Sequence, residues 1–226
     1  MRNVVLSGAL ALAVAALGAW WMTANSNTQS QNASALLGAA YAQEAGDIDT
    51  SSVVEMTMGA EDAPVTLVEY ASFTCPHCAS FHKNQFQELK AEFIDTGKVK
   101  FIHRDVYFDR FGLWASMVAR CGGTERFFGI SDMIYDQQRD WIGSGQDPVA
   151  ITNNLRRIGK VAGLNDEQLD SCLSDADKAQ ALVAVYQQNA EADAVQSTPT
   201  IIINGEKHGN MNYADLKGII DGLLPE

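Results

Sequence analysis

Residues 65–78 read Val65-Thr66-Leu67-Val68-Glu69-Tyr70-Ala71-Ser72-Phe73-Thr74-Cys75-Pro76-His77-Cys78. Val65–Tyr70 follows Pro64 and is β-rich and mostly apolar, as a buried parallel strand should be. After the cysteines, Phe81, Phe86, Leu89, Phe93 and Ile94 recur at helical spacing up to Gly97. Pro76 suits the first helical position, where its missing N–H has no partner to lose. Val99–His103 reads as a second strand, so strand, helix and strand within about 40 residues make one βαβ unit with a right-handed crossover. The cysteine pair therefore lies where a buried strand hands over to a helix N-terminus.

Working outward, Val53–Met58 alternates weakly and fits an edge strand. From Asp109 to Val195 the strand signal disappears. Leu113, Met117 and Ala119 fit one helix, and Phe127, Phe128, Met133 and Ile134 another. Asp147-Pro148 is an N-cap with a first-turn proline, and Asn165 caps the next helix. Ala179, Leu182, Val183 and Tyr186 continue on a last one. Thr200–Ile203 is a strand, Asn204-Gly205 a hairpin turn and Glu206–His208 its return; residues 212–223 close as a helix. The expected fold class is α/β, with an all-helical insertion over 109–195 interrupting a sheet domain formed by 53–108 and 196–226.

The chain has 226 residues, with 16 Lys+Arg against 28 Asp+Glu and net charge −12. That balance argues against nucleic acid as a partner, since phosphate backbones are bound by clustered cations. Arg2 precedes an uncharged run from Val4 to Met22 that ends in Trp20-Trp21. A positive start plus an apolar run reads as an export signal, and a run of 19 residues is also close to the ~20 that span a bilayer. Residues 1–22 are thus a signal peptide or a membrane anchor formed by 4–22, with a soluble core helix as the plainer alternative. A small-x-small site, Ala40-Tyr41-Ala42, stands well downstream. Residues 23–52, rich in Ser, Asn, Gln, Thr and Ala, read as a flexible linker. Arg2 is the only charge before Gln43, so residues 43–226 carry net −13.

At a helix N-terminus the free N–H groups and the positive end of the dipole favour a thiolate over a thiol. His77, if protonated, adds a second favourable charge. A disulfide with so good a leaving group is readily reduced and passes its oxidation on. Cys75 is expected to be the attacked sulfur and Cys78 the buried one, a turn further in. Two other readings stand beside this: a structural disulfide, and a soft metal site formed by Cys75, Cys78 and His82 in C-x₂-C-x₃-H spacing. A haem attachment is excluded, because Ala79 and not His follows the second cysteine. Glu69 is a carboxylate within an apolar strand; buried, with a raised pKa, it would carry protons for the inner thiol, and on a strand edge it would be merely solvated. Thr198-Pro199 precedes the last buried strand, where a cis bond would turn the backbone towards the thiols and present it to an extended peptide. Cys121 and Cys172, both in the insertion, would pair in an oxidising compartment or remain as buried free thiols. His82 reads as solvated or groove-facing, His103, Arg104 and Asp105 as local pairing, and Phe127, Phe128 and Trp141 as core.

Taken together, the strand carrying Glu69, the segment Ser72–Cys78, the helical insertion and Thr198-Pro199 before a strand and hairpin resemble the DsbA family. These are thioredoxin-fold thiol-disulfide oxidases of the bacterial periplasm. The resemblance covers about residues 53–225, and Cys75-Pro76-His77-Cys78 is its most specific part. It implies a thioredoxin-like fold interrupted by the insertion, with Cys75 as nucleophile, Cys78 as resolving thiol and His77 as thiolate stabiliser. Glu69 would be the buried proton carrier, Pro199 the cis proline, and Pro76, Thr198 and Pro199 the substrate-binding residues. It further implies a structural disulfide between Cys121 and Cys172, as in a subset of the family, and no cofactor. The partners implied are reduced or unfolded exported proteins and a DsbB-like quinone-linked membrane reoxidant. With no dimerisation domain in evidence, a monomer is expected. Thr198 departs from the Val that the best-known oxidases carry there; isomerases often have Thr, so an isomerase or reductase on the same fold is the alternative.

Overall fold

The computed structural model describes residues 48–145 and 147–225. The expected signal or anchor over 1–22, and the linker up to residue 47, lie outside the described residues. Among the described residues, no helix is long and apolar enough to cross a membrane.

Five strands form one mixed sheet in the order β1-β3-β2-β4-β5: β1 (Met56–Met58), β2 (Val65–Ala71), β3 (Val99–Asp105), β4 (Thr200–Ile203) and β5 (Glu206–His208). Only β2 and β3 run parallel; β1, β4 and β5 pair antiparallel to their neighbours. The connection between β2 and β3 is the helical run 76–94 (α1). From β3 the chain enters six helices in succession: α2 (Arg110–Cys121), α3 (Gly123–Asp136), α4 (Gln138–Ile142), α5 (Pro148–Val161), α6 (Asp166–Ser174) and α7 (Ala176–Ala192). It then returns to β4 and β5 and ends in α8 (Tyr213–Leu223).

Local chemistry accounts for the boundaries. Asp109 caps α2 by accepting from the backbone N–H groups of Phe111 and Gly112, and Asp147 caps α5 in the same way ahead of Pro148. Asn165 and Gln168 form a reciprocal capping box on α6. Asn204 and Gly205 both have positive φ, 46° and 88°, which is the two-residue turn that matches strand twist. Asn204 also accepts from Thr66 N–H through its side chain at 2.8 Å, tying the hairpin to β2.

Strand alternation sorts the core into two faces. Val65, Leu67 and Ala71 of β2, with Val99 and Phe101 of β3 and Ile201 and Ile203 of β4, pack against the α1 residues Phe81, Phe86, Leu89 and Phe93. Phe127, Ile130, Ile134 and Trp141 of the helical segment belong to the same core. Phe101 meets Phe128 at 6.0 Å between ring centroids, so insertion and sheet share one interior. The opposite face carries Val68, Tyr70, Ile102 and Ile202, with Tyr186 of α7 packed against them. Glu69 points with Leu67 and Ala71 into the larger core.

Helix α1 departs from regular spacing. Pro76–Phe81 and Gln87–Leu89 are α-helical, but His82–Phe86 and Lys90–Ile94 are π turns. Phe81 and Phe86 are five residues apart and both fully buried. A wider turn keeps both on the core side, where a regular helix would rotate one away.

Candidate active site

Cys75 is the N-cap of α1, with extended backbone (φ −81°, ψ 118°), and Pro76 opens the helix. Both thiols are free. Cys75 keeps 8% of its surface exposed and Cys78 none, so only the first sulfur can be approached from outside. The Cys78 thiol, hydrogen-bonded to the Cys75 sulfur, is the main influence lowering the Cys75 pKa. Burial opposes it, Thr198 and the backbone N–H groups of Cys78 and His77 reinforce it, and the result is about 5. Burial drives the Cys78 thiol strongly upward, helped by its hydrogen bond to Cys75 and by the Glu69 charge. The two sulfurs thus differ in both exposure and acidity. His77 acts here through its backbone N–H, while its side chain is exposed.

The Thr198–Pro199 bond is cis, and the Thr198 carbonyl oxygen lies 3.5 Å from Cys75 Sγ. Pro76 is exposed beside them. Phe108, 60% exposed, and the half-buried Phe111 and Trp114 follow on the loop and first turn of α2. That turn comes close to the active-site loop: a Cβ on Gly112 would meet Ser72 Oγ at 3.3 Å, and Thr74 Oγ1 donates to Asp109 at 2.8 Å.

Beneath the dithiol lies a buried polar cluster. The parallel register places Glu69 directly beside His103. Glu69 Oε2 is 3.0 Å from His82 Nε2 and 3.7 Å from His103 Nδ1. Burial raises the Glu69 pKa, but His82 and His103 outweigh it and hold the carboxyl down at about 2. Burial likewise disfavours the His82 charge, and Glu69 and Asp132 more than compensate, raising it to about 9. Two expectations are corrected by this. Glu69 is buried, but its pKa is lowered and not raised, because two imidazoles face it. His82, expected in solvent or a groove, is 4% exposed and stacks on Tyr135 at 4.1 Å, since the π turn that starts there aims it at the sheet.

The chain continues from His103 Nε2 to Asp105 Oδ1 at 3.4 Å, and Arg120 Nη2 donates to Asp105 Oδ2 at 2.7 Å. Arg104 instead faces the other side of the sheet, donating to Tyr70 and Asp193 at 2.9 Å each. The pairing expected around residues 103–105 therefore reaches far beyond its neighbours in sequence.

The metal-site alternative is also redrawn. Among the described residues, the close group of possible ligands is Glu69, His82 and His103, whose donor atoms lie within 4.8 Å of one another. Cys75, Cys78 and His82 do not gather as C-x₂-C-x₃-H spacing suggested.

Gln138 was invisible in the sequence. Buried at the start of α4, its Nε2 donates to the carbonyl oxygens of Phe73 and Cys75, both at 2.9 Å, and so braces the loop that carries Cys75. A glutamine at the start of a short helix, next to the equally polar Gln137, gives no signal by which to find it. Cys121 and Cys172 are joined in a disulfide, with Cα atoms 5.8 Å apart, linking α2 to α6.

Residues 51–222 match the family model described as Thioredoxin. A putative protein-disulfide oxidoreductase of Rickettsia bellii is 33% identical over 173 residues, covering 76% of this chain and 65% of that one. Disulfide bond formation protein D of Bacillus subtilis is 27% identical over 179 residues, covering 74% and 76%. The crystal structure of Wolbachia pipientis alpha-DsbA1 superposes with a TM-score of 0.69 at 26% identity, covering 75% of this chain and 90% of that one. The chain spans just under two thirds of the length of the rickettsial relative. On the family match and these likenesses, the chain belongs to the thioredoxin family, in its DsbA-like group.

Proposed function

We propose that this chain is an exported thiol-disulfide oxidase that donates a Cys75–Cys78 disulfide to reduced or unfolded proteins in the periplasm. The observation that carries the proposal is the asymmetry of the two sulfurs: an accessible Cys75 held as thiolate at neutral pH and a fully buried Cys78 held as thiol. Stabilising the thiolate stabilises the reduced form, which makes the disulfide oxidising. A substrate thiolate attacks Cys75 Sγ and breaks the Cys75–Cys78 bond, leaving the electron pair on Cys78, which takes a proton. A second substrate thiolate then attacks the substrate sulfur of this mixed disulfide and releases Cys75 as thiolate. The substrate leaves oxidised by two electrons and the enzyme reduced. The cis Thr198–Pro199 segment beside Cys75 offers its backbone to an extended chain. Cys75, Cys78, Glu69 and Pro199 carry the site, His77 supports the thiolate, and Pro76 and Thr198 contact substrate. The Cys121–Cys172 bridge has a structural role. A quinone-linked membrane partner of the DsbB type returns the enzyme to its disulfide form, and residues 1–22 direct or tether the protein. The names of the Rickettsia, Bacillus and Wolbachia relatives support this reading.

The test is the reduction potential, measured by equilibrating the protein in graded glutathione buffers and counting thiols by alkylation. A value well above about −200 mV is expected for an oxidase; one near about −270 mV would reassign the protein as a reductase. Thr198 before the cis proline favours a second reading as an isomerase, which a value between the two, with activity on scrambled disulfides, would support.

A further inference from the structure

A second opening reaches the buried polar cluster from a side that includes neither cysteine. Beside β1, β3 and α7 lies a cavity of about 70 Å³ whose walls include Val54, His103, Asp105, Arg120, Val185 and Tyr186. A water needs roughly 10–15 Å³ of such space and a few polar partners, so the cavity is roomy and polar enough to hold several. The cavity is partly open, and Val54 in its lining is 53% exposed.

His103 stands between this cavity and Glu69. Its ring is 1% exposed and lies 5.7 Å from Phe73 and 5.4 Å from Phe127 between centroids. One nitrogen faces Glu69 at 3.7 Å and the other Asp105 at 3.4 Å. An imidazole bridging two carboxylates can take a proton on one nitrogen and give one from the other, and resting contacts of this length tighten when the reaction calls on them.

We propose that this cavity is a second solvent port, through which His103 and Asp105 carry away the proton of Cys78 while a protein disulfide-linked to Cys75 covers the first opening. The proposal rests on the dithiol function argued above. In a mixed disulfide Cys78–SH loses its proton, its thiolate attacks Cys75 Sγ, the Cys75–Cys78 bond forms, and the partner departs as thiolate with the electron pair. Cys78 has no exposed surface, and a chain bonded to Cys75 would hide the 8% that Cys75 retains. The proton passes to the Glu69–His82 pair, on to His103 and out to the cavity. The groups facing this path are His82, Tyr135 and Asp132 around Glu69, and Arg120, Ser116 and Tyr107 around Asp105. Burial opposes the His103 charge, and Asp105 and Glu69 outweigh it and raise its pKa.

The test compares two Cys75 mixed disulfides of the full chain, one with a single-cysteine unfolded protein and one with glutathione, which leaves the first opening free. Release by Cys78 is followed at pH 7 by acid quench and alkylation. His103→Gln keeps the side chain polar but cannot shuttle a proton, and it is expected to slow release of the protein at least about tenfold and of glutathione less than about threefold. Val185→Trp fills the cavity from its α7 wall while leaving His103 and Asp105 unsubstituted, and the same contrast is expected. Should His103→Gln fail to fold, Val185→Trp decides alone. Either folded variant leaving the protein-to-glutathione rate ratio at its wild-type value overturns the proposal. Failure of the dithiol function itself looks different: the wild-type mixed disulfides would then persist as they do in Cys78→Ser.

Discussion

Glu69 and His82 share a hydrogen bond of 3.0 Å in the interior, with neither side chain more than 4% exposed. His82 stands four residues after Cys78 on α1, one turn along the same helix face, and the Glu69 charge is felt at the Cys78 thiol. A buried ion pair resists removal of one partner far more than replacement of both, because a lone charge is left without water or counter-ion.

His82→Phe is therefore expected to lower stability by about 3 kcal/mol, and Glu69→Leu combined with His82→Phe to restore part of that loss. Urea denaturation of the three proteins measures it. If the double variant proves as unstable as the sum of the singles, Glu69 and His82 are not coupled.

The same pair fixes a pH window, best measured on the Cys75–Cys78 disulfide form so that no thiol titrates. Glu69 falls from 4.5 to about 2 on folding, so its contribution is present above pH 4.5 and is lost as pH drops towards 2. His82 rises from 6.5 to about 9, so its contribution is whole below pH 6.5 and is lost as pH climbs to 9. Urea midpoints are expected to peak between about pH 4.5 and 6.5 and to decline on both sides. In His82→Phe the alkaline decline should flatten; an unchanged slope would show that other groups cause it.

In the reduced protein, alkylation by iodoacetamide at neutral pH should modify Cys75 alone, with a rate that titrates near pH 5. Mass spectrometry after a short pulse identifies the labelled sulfur. A midpoint near pH 8.5, or comparable labelling of Cys78, would remove the asymmetry on which the proposed function stands.

What the sequence revealed divides along physical lines. Strand β2, the cysteine pair and the Asn204-Gly205 turn were legible because each depends on neighbours in the chain: a β-rich, mostly apolar run, a first-turn proline, a dipeptide tolerant of positive φ. Of the helices between β3 and β4, α5 and α6 announced themselves by the caps Asp147 and Asn165, and α2, α3 and α7 by apolar spacing; short α4 and the cap at Asp109, which also accepts from Thr74, were not read. His82 and Gln138 were not legible. The five-residue step from Phe81 to Phe86 was visible, but that it signals a π turn aiming His82 inward depends on Glu69 waiting 13 residues upstream. Gln138 finds its carbonyl partners 63 and 65 residues away. Glu69 stood out as a buried acid, but the sign of its pKa shift depends on which side chains the register and α1 bring to it.

Gln138→Ala leaves the Phe73 and Cys75 carbonyls without their buried donor. The expected cost is about 2 kcal/mol of stability, with mixed-disulfide formation at Cys75 slowed severalfold as the loop loosens. Loss of stability with an unchanged exchange rate would make Gln138 a core support only.

The Cys121–Cys172 bridge closes a loop of 51 residues between α2 and α6. In the loop-entropy model such a link removes about 4 kcal/mol worth of freedom from the unfolded chain. It ties α2, whose Arg120 holds Asp105, to α6, which Asn165 caps, and leaves Cys75 and Cys78 as free thiols. Cys121→Ala with Cys172→Ala should thus lower stability by about 4 kcal/mol or somewhat less, while the pH midpoint of Cys75 alkylation stays where it is. Urea denaturation and the alkylation profile measured on the same preparation separate the two effects. A shifted alkylation midpoint would mean that the bridge is linked to the redox site and is not structural alone.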